Sequence, residues 1–157
     1  MQNILFVCLG NIARSTMAEA MLRQMITNEH LTEQISVDSA GTANWEMGKR
    51  PHPGTQQQLR KHHIPFDGII ARQITPTDFQ WADYIITMDQ QNVRDLIALA
   101  PSPLDVQKIH LAFDIVPTKQ GVEIADPWYT QRFDITFAQL SETLPLWFAK
   151  FKQNISV

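Results

Sequence analysis

The chain has 157 residues, of which 44% are hydrophobic and 18% charged, and its formal net charge is −3. This length and composition are typical of a soluble globular protein, and we expect one domain over residues 1–157. The slight negative charge gives no electrostatic basis for binding nucleic acid or an anionic membrane. A single cysteine excludes an internal disulfide framework and any site with several thiolate ligands, and it favours a reducing cytoplasm.

The first chemical stretch covers residues 4–17 and joins an apolar run to a helical pattern. The run ends at Cys8 and is followed by a Gly-Asn turn, which predicts a buried strand and then a tight loop. Arg14 stands where the next helix begins. The N–H groups of such a loop and helix favour a bound anion and the thiolate form of Cys8, and the fork of Arg14 matches two phosphate oxygens. We therefore interpret Cys8 as a nucleophile for phosphorus rather than as a small buried hydrophobic residue.

This stretch resembles a known signature. Val7-Cys8-Leu9-Gly10-Asn11-Ile12-x-Arg14-Ser15 is similar to the phosphate loop of low-molecular-weight protein tyrosine phosphatases. The resemblance implies that Cys8 is the nucleophile and that Arg14 clamps the phosphate, and the hydroxyl of Ser15 can then hydrogen-bond the sulfur. The implied phosphate-binding residues are Leu9, Gly10, Asn11, Ile12, Ala13, Arg14 and Ser15. Two positions depart from the family pattern, with Ala13 in place of a second cysteine and Thr16 in place of proline.

A first helix is predicted over residues 16–28, with a core-facing apolar stripe that begins at Met17. Thr16 and Glu19 have the spacing of a capping box, so we expect them to cap this helix. Glu19 also stands four residues before Arg23, which is the spacing of an ion pair within a helix.

Residues 35–40 alternate and then break at Gly41, which predicts a second strand. Ser39 would lie at its carboxyl end, beside the first loop if the two strands are neighbours. The loop that follows contains Trp45, which either packs on the domain or forms a wall of a ligand crevice. Ser39-Ala40-Gly41-Thr42 with Trp45 and Gly48 resembles the family's second motif, and this resemblance favours the wall.

A second helix is predicted over about residues 53–63. The histidines His52, His62 and His63 lie at its two ends. A metal site would require ligands on one face together with a carboxylate or thiolate, and adjacent helical residues point about 100 degrees apart. We therefore interpret these histidines as solvent-exposed, and we expect no metal and no organic cofactor.

Residues 66–78 are predicted to be irregular, and they resemble a family stretch with a histidine two positions before the alanine numbered here Ala71. In the family this histidine supports the asparagine of the phosphate loop. The present chain has Ile69 at that position. Asn11 must therefore have another partner, and Ser39 is the nearest candidate by sequence.

Residues 83–88 predict a third strand, and Asp89 is expected to cap a helix that continues through Leu99. A strand that ends in Met-Asp resembles the family, and Asp89 is therefore included as a supporting residue of the site. Residues 106–111 predict a fourth strand. One face of the helix is predicted to be apolar through Val93, Leu96 and Ile97.

The second chemical stretch is Asp126-Pro127-Trp128-Tyr129. An aspartate before a proline commonly does no more than initiate a turn. The functional interpretation is a rigid loop over the crevice, with Asp126 as proton donor and Trp128 and Tyr129 as walls. The tetrapeptide resembles the family's Asp-Pro-aromatic-Tyr motif, which carries its general acid, and this resemblance favours the functional interpretation.

Apolar residues recur at helical spacing over residues 133–151, and Pro145 is expected to kink or divide this helix near residues 141–144. Four strands that alternate with helices predict a parallel sheet. The resemblance covers almost the whole chain and implies a flavodoxin-like three-layer α/β sandwich with strand order 2-1-3-4. The site would lie at the carboxyl ends of the strands, beside the first one.

These features imply a cytoplasmic hydrolase that cleaves phosphotyrosine monoesters on proteins through a phosphocysteine intermediate. Its partners would be tyrosine-phosphorylated proteins, with no nucleic acid and no membrane, and it would be a monomer or a weak homodimer. One alternative is an arsenate reductase, which would need an external thiol because this chain has no second cysteine. Another is a non-hydrolytic phosphate carrier or phosphopeptide-binding domain, which would not retain both Arg14 and an acid at Asp126. Hydrolysis of p-nitrophenyl phosphate separates the three.

Overall fold

The structure, a computed structural model, describes residues 1–155 and contains a four-stranded sheet. Its strands are β1 (Gln2–Cys8), β2 (Ile35–Gly41), β3 (Tyr84–Thr87) and β4 (Ile109–Leu111). The spatial order is β2-β1-β3-β4, and every neighbouring pair is parallel. This confirms the expected order. The loop after β1 therefore lies where the connections turn to opposite sides of the sheet, which is where ligands bind in such folds.

Helices cover both faces of the sheet. Within residues 1–155 they are α1 (Arg14–Asn28), α2 (Pro53–Lys61), α3 (Pro76–Trp81), α4 (Gln90–Leu99), α5 (Pro103–Val106), α6 (Pro127–Thr130) and α7 (Phe133–Ile155), with a 3₁₀ turn at Ala112–Ile115. None of these helices is both long and apolar enough to cross a bilayer.

The central strand β1 is buried on both faces, and its alternate side chains belong to two separate cores. Ile4, Phe6 and Cys8 pack with buried residues of α1, α2 and α7. Leu5 and Val7 pack on the other side with residues of α3 and α4. Burial on both faces accounts for the unbroken apolar run of the sequence. Because Cys8 ends β1 on the face that carries α1, its thiol lies beneath the loop that leads into that helix.

The beginning of α1 differs from the prediction. The helix begins at Arg14 rather than near Thr16, and no side chain caps it. The hydroxyl of Thr16 donates to the carbonyl oxygen of Ala13 at 3.2 Å, and Glu19 is hydrogen-bonded to a residue of β2. The predicted capping box is therefore wrong, because both of its side chains have partners elsewhere. The predicted ion pair is also not formed, since Arg23 donates to backbone carbonyls of residues 65 and 67 instead.

The predicted fourth strand is too long. Residues 103–106 form α5, because Ser102 caps this short helix and Pro103 occupies its first turn. The strand itself begins only at Ile109. The apolar face of α4 is also narrower than expected, since Leu96 is fully buried but Ile97 is 47% exposed.

The long helix α7 is continuous across Pro145, so the predicted division is wrong. Side chains before and after the proline, including Leu140, Leu144, Trp147 and Phe151, are buried in the same core. The indole N–H of Trp147 also donates to the carbonyl oxygen of residue 112 at 2.9 Å. Packing of both halves against one core keeps the helix in one piece despite the missing backbone donor.

Candidate active site

The loop between β1 and α1 turns its carbonyl groups outward. The carbonyl oxygens of Cys8, Leu9 and Ile12 accept hydrogen bonds from the backbone of segments that follow β2. By contrast, the backbone N–H groups of residues 9–14 donate no hydrogen bond to any other residue among 1–155. A run of consecutive unpaired donors next to the N-terminus of a long helix binds an anion. We call residues 8–15 the floor of the site.

Asn11 holds the floor in shape. Its backbone is left-handed, with φ of 56°, a conformation that asparagine tolerates better than most residues. Its side-chain amide is fully buried and donates to Ser15 Oγ at 2.8 Å and to Ser39 Oγ at 2.9 Å, while its oxygen accepts from the N–H of Arg72 at 2.9 Å. The predicted contact with Ser39 is thus present, and these contacts support Asn11 although Ile69 replaces the histidine.

The thiol of Cys8 lies at the centre of the floor and is 3% exposed. Its sulfur is 3.0 Å from the hydroxyl oxygen of Ser15. Because Ser15 already accepts a hydrogen bond from Asn11, its own hydrogen is available to the sulfur. The floor therefore has a donor aimed at the one atom that would carry the nucleophilic charge.

Arg14 is held by one edge of its guanidinium. Its Nη1 donates to Asp89 Oδ2 at 2.7 Å and to the carbonyl oxygen of Ile124 at 2.8 Å. Its Nη2 lies 3.5 Å from Asp126 Oδ2, and its buried Nε has no hydrogen-bond partner among residues 1–155. The edge formed by Nε and Nη2 is therefore the one that can hold two oxygens of an anion.

The environment of Arg14 keeps it charged. Burial lowers the pKa of Arg14, but the negative charges of Cys8, Asp89 and Asp126 more than offset this, so the pKa lies above its ordinary value. A guanidinium that is 2% exposed and fixed at one edge presents its other edge in a set orientation.

Asp126 is the N-cap residue of the short helix α6 and lies beside Arg14 of the floor. Its Oδ1 accepts from the N–H of Trp128 at 3.0 Å, and its Oδ2 is the oxygen nearest Arg14. Two residues earlier, the N–H of Ile124 donates to the carbonyl oxygen of Met88 at 2.8 Å. The segment that carries Asp126 is therefore tied to the end of β3.

Most of the predicted residues line one crevice. Cys8 lies at its base, and Trp45, Asp126, Trp128 and Tyr129 surround its opening. The three rings are 71%, 50% and 77% exposed in that order, which is unusual for such large side chains. We call these four opening residues the rim. The remaining crevice residues are Leu9, Gly10, Ile12, Ala13 and Glu46. Ser39 and Asp89 lie outside the lining, where they contact Asn11 and Arg14 respectively.

The expectation for the histidines is wrong for His52. Its ring stacks on Phe133 with centroids 4.8 Å apart and meets the edge of Trp128 at 5.6 Å, so it is half-buried rather than fully solvated. Burial lowers the pKa of His52, although Asp126 opposes this shift. His62 and His63 are exposed, as expected. Within residues 1–155 no three His, Cys, Asp or Glu side chains are grouped so as to hold a metal ion.

Sequence reasoning missed three groups that support the floor, which are Glu19, the backbone N–H of Arg72 and the carbonyl of Ile124. The two backbone groups leave no signal in a sequence. Glu19 does have a sequence signal, because it is the only polar residue in the run 17–22. A helix that is apolar on every side is buried. A glutamate in such a helix requires a buried partner.

Comparison with known proteins gives consistent results. A family model described as low molecular weight phosphotyrosine protein phosphatase matches residues 3–157. The chain is 42% identical over 134 residues to the low molecular weight protein-tyrosine-phosphatase YfkJ of Bacillus subtilis strain 168, with 85% of each chain covered. It is 41% identical over 134 residues to the low molecular weight protein-tyrosine-phosphatase PtpA of Staphylococcus aureus strain MRSA252, covering 85% of this chain and 83% of that one.

Solved structures agree with the sequence matches. The crystal structure of YfkJ superposes with a TM-score of 0.93 at 37% identity, covering 98% of this chain and 96% of that one. The crystal structure of DARP, a Drosophila arginine phosphatase, superposes with a TM-score of 0.84 at 33% identity, covering 97% and 98% of the two chains. Similar folds thus occur in proteins whose names specify different phosphorylated residues.

Proposed function

The chain belongs to the low molecular weight phosphotyrosine protein phosphatase family, and on that premise we propose that it hydrolyses phosphotyrosine monoesters on proteins through a phosphocysteine intermediate. The observation that carries this proposal is the buried thiol of Cys8 beneath the unpaired N–H groups of residues 9–14, with Arg14 and Asp126 beside it. This arrangement supplies a nucleophile, a cradle for a phosphoryl group and a proton donor.

In the first step the thiolate of Cys8 attacks phosphorus in line with the leaving oxygen, so that a P–S bond forms and the P–O bond to the phenol breaks. The N–H groups of residues 9–14 and the Nε–Nη2 edge of Arg14 hold the three equatorial oxygens, whose charge must be stabilised in a loose transition state. Asp126, when protonated, gives its proton to the leaving phenolate, whose conjugate acid has a pKa of about 10.

In the second step water attacks the phosphorus of phosphocysteine. Asp126 accepts the proton of this water, the P–S bond breaks, and phosphate is released. The sulfur departs as a thiolate, and the hydroxyl of Ser15 at 3.0 Å stabilises the charge that develops on it. The step regenerates Cys8 as a thiolate and Asp126 as an acid, which closes the cycle.

The rim supports an aromatic substrate. Trp45, Trp128 and Tyr129 present ring surfaces that a phenyl group can stack against or meet edge-on. A phosphoserine is shorter and would leave these contacts unmade while its phosphate rested on the floor. We therefore propose tyrosine-phosphorylated proteins as the partners, encountered in the cytoplasm by a monomer or a weak homodimer. Phosphoarginine is the other substrate to be tested, because the Drosophila relative is named an arginine phosphatase.

The test is phosphate release from peptides that are identical except for phosphotyrosine, phosphoserine or phosphoarginine at one position. We expect the phosphotyrosine peptide to have the highest kcat/KM, and Cys8→Ser to abolish turnover while leaving phosphate binding measurable. A stable phosphoprotein that releases no phosphate would indicate a carrier. Arsenate-dependent consumption of an added thiol without phosphatase activity would indicate a reductase. A preference for phosphoarginine would overturn the substrate assignment but not the mechanism.

A further inference from the structure

A chain of hydrogen bonds leads from the sulfur of Cys8 into the protein and ends on a carboxylate. Ser15 Oγ lies 3.0 Å from the sulfur. The amide nitrogen of Asn11 donates to Ser15 Oγ at 2.8 Å and to Ser39 Oγ at 2.9 Å. Ser39 Oγ in turn lies 2.6 Å from Oε1 of Glu19, to which it donates. Four side chains thus connect the buried end of α1 and the end of β2 to the nucleophile.

The chemistry of these groups sets the direction of every bond. The amide nitrogen of Asn11 can only donate, so both serine oxygens must accept from it. Each hydroxyl hydrogen then points away from Asn11, that of Ser15 toward sulfur and that of Ser39 toward Glu19. The amide cannot rotate end for end, because its oxygen accepts from the N–H of Arg72. The direction of the Ser15 hydroxyl at the sulfur therefore depends on the acceptor for the Ser39 hydroxyl, which is Glu19.

Glu19 is an unusual residue to find at that end. It is 8% exposed, and it forms no ion pair with any other residue among 1–155. A buried carboxylate without a cationic partner opposes folding, whereas an apolar side chain would suit this position among residues 17–22. Its retention in such a position points to a role other than stability.

We propose that Glu19 is a positioning residue of the reaction, the terminal acceptor that holds Ser39 and Asn11 so that the hydroxyl of Ser15 is directed at the sulfur of Cys8. The inference rests on the proposed function, in which this sulfur is the nucleophile. Glu19 touches neither the crevice nor the reacting atoms, and it acts only through Ser39.

The charges around Glu19 give the network a dependence on pH. Burial raises the pKa of Glu19 to about 7, and the negative charge of Asp38 in β2 raises it further. The hydrogen bond from Ser39 and the positive charges of Arg23 and Arg72 lower this pKa but do not cancel the rise. Arg72 is itself paired with Asp38 and with a carboxylate of α3. The carboxylate is a strong acceptor on both oxygens, whereas the acid can also donate. The terminal acceptor therefore changes character close to neutral pH.

The first experiment compares Glu19→Gln with the wild type, and uses Glu33→Gln, an exposed glutamate outside the network, as the matched control. One readout is the rate at which iodoacetate alkylates Cys8 as a function of pH, which requires no substrate. The other is kcat and KM with p-nitrophenyl phosphate. At pH 8, where Glu19 is ionised, we expect Glu19→Gln to lower kcat roughly tenfold with little change in KM, because a neutral amide oxygen replaces a charged acceptor. The wild-type alkylation profile should show an inflection near pH 7, where Glu19 titrates, and the Glu19→Gln profile should lack it.

The second experiment asks whether Glu19 acts through Ser39. Ser39→Ala removes the link, so Glu19→Gln should have no further effect on kcat in the Ser39→Ala background. Additive effects of the two substitutions would show that Glu19 acts by another route and would overturn the proposal. Thermal unfolding of each variant separates a loss of turnover from a loss of folded protein.

The two readouts also separate this inference from the proposed function. If the wild type releases no phosphate from any substrate, the proposed function is wrong, and the alkylation profiles alone then decide the role of Glu19. If Glu19→Gln matches both the wild type and Glu33→Gln in its alkylation profile and in kcat, the positioning role is overturned while the phosphatase mechanism stands.

Discussion

The floor and the rim of the crevice are built in opposite ways. Asn11 and Ser15 of the floor are fully buried, and Arg14 is 2% exposed. Their side chains hold one another and the neighbouring strands through short hydrogen bonds. On the rim, Trp45 and Tyr129 are more than two-thirds exposed. We infer that the groups that stabilise charge are fixed before a substrate binds, whereas the exposed side chains that select the substrate can change conformation.

The largest loss should follow damage to the floor at Arg14. Arg14→Lys keeps the charge but loses the planar fork, whose Nη1 bonds Asp89 and Ile124 and whose Nε–Nη2 edge is proposed to hold the phosphoryl oxygens. We expect kcat to fall by about 10³-fold or more on every substrate, because at least two transition-state donors are lost. Steady-state kinetics on several aryl phosphates measure this. Activity within a few-fold of the wild type would show that a point charge suffices and that the floor is less rigid than its contacts indicate.

Asp126 should be next in effect, and its loss should depend on the substrate. Asp126→Asn removes the proton donor but keeps the acceptor for the N–H of Trp128. We expect a loss of roughly 10²–10⁴-fold on poor leaving groups, the usual range for general acid catalysis, that shrinks as the leaving-group pKa falls. A series of substituted phenyl phosphates provides the measurement. Equal losses across the series would mean that Asp126 only shapes the rim.

The buried carboxylate beneath the floor should make the folded state less stable at higher pH. The pKa of Glu19 rises on folding from an ordinary 4.5 to about 7, so the folded state binds this proton more tightly than the unfolded chain. Stability is therefore unaffected below pH 4.5 and falls as pH rises to about 7, by up to roughly 3 kcal/mol. Glu19→Gln should melt at a higher temperature than the wild type at pH 8 and at the same temperature at pH 4.5. Glu33→Gln should show no such divergence.

The smallest effect is expected on the rim. Trp45→Ala removes a ring that is 71% exposed, so stability should hardly change. Aromatic contacts are worth about 0.5–1.5 kcal/mol, which predicts a rise in KM of roughly 2- to 12-fold on phosphotyrosine peptides with kcat nearly constant. Phosphoserine peptides and the remote variant Leu104→Ala serve as controls. A fall in kcat larger than the rise in KM would place Trp45 among the residues that organise the chemistry.

The sequence allowed the floor to be predicted better than its supports. Few loop geometries can join a strand that ends in Cys8, through a Gly-Asn turn, to a helix that begins near Arg14. The strand order was implied by the family resemblance. The spacing of Thr16 and Glu19 predicts a capping box, whereas the partner of Glu19 in the structure is Ser39 of β2. Which partner it takes depends on β2, which is distant in sequence. The predicted contact between Asn11 and Ser39 is present because β1 and β2 are parallel neighbours, so the loop after β1 lies beside the carboxyl end of β2.

The errors of local structure have one local cause and two tertiary causes. Val106 belongs to α5 and not to the predicted fourth strand, because Ser102 caps a helical turn in which Pro103 occupies the first position. Pro145 was expected to divide α7, and the shared core on both sides of it prevents this. The prediction that His52 is solvent-exposed is wrong because its ring stacks on Phe133, which is distant in sequence. For Pro145 and His52 a tertiary contact outweighed the local preference, whereas for Val106 the local cap decided the structure.

The solitary sulfur of the floor also has a chemical consequence. Ala13, 5% exposed, stands where the family pattern described above has a second cysteine, and Cys8 is the only cysteine of the chain. Hydrogen peroxide converts a thiolate to a sulfenic acid, and a nearby thiol can trap that form as a reducible disulfide. Without such a thiol, a second equivalent of peroxide gives a sulfinic acid that dithiothreitol does not reduce. We expect peroxide to inactivate this chain with little recovery, and Ala13→Cys to make much of the loss reversible, as followed by activity and intact mass. Bound phosphate should protect the sulfur, and near-complete recovery of the wild type would contradict this expectation. Peroxide would then remove active molecules permanently, and activity would return only with newly synthesised protein.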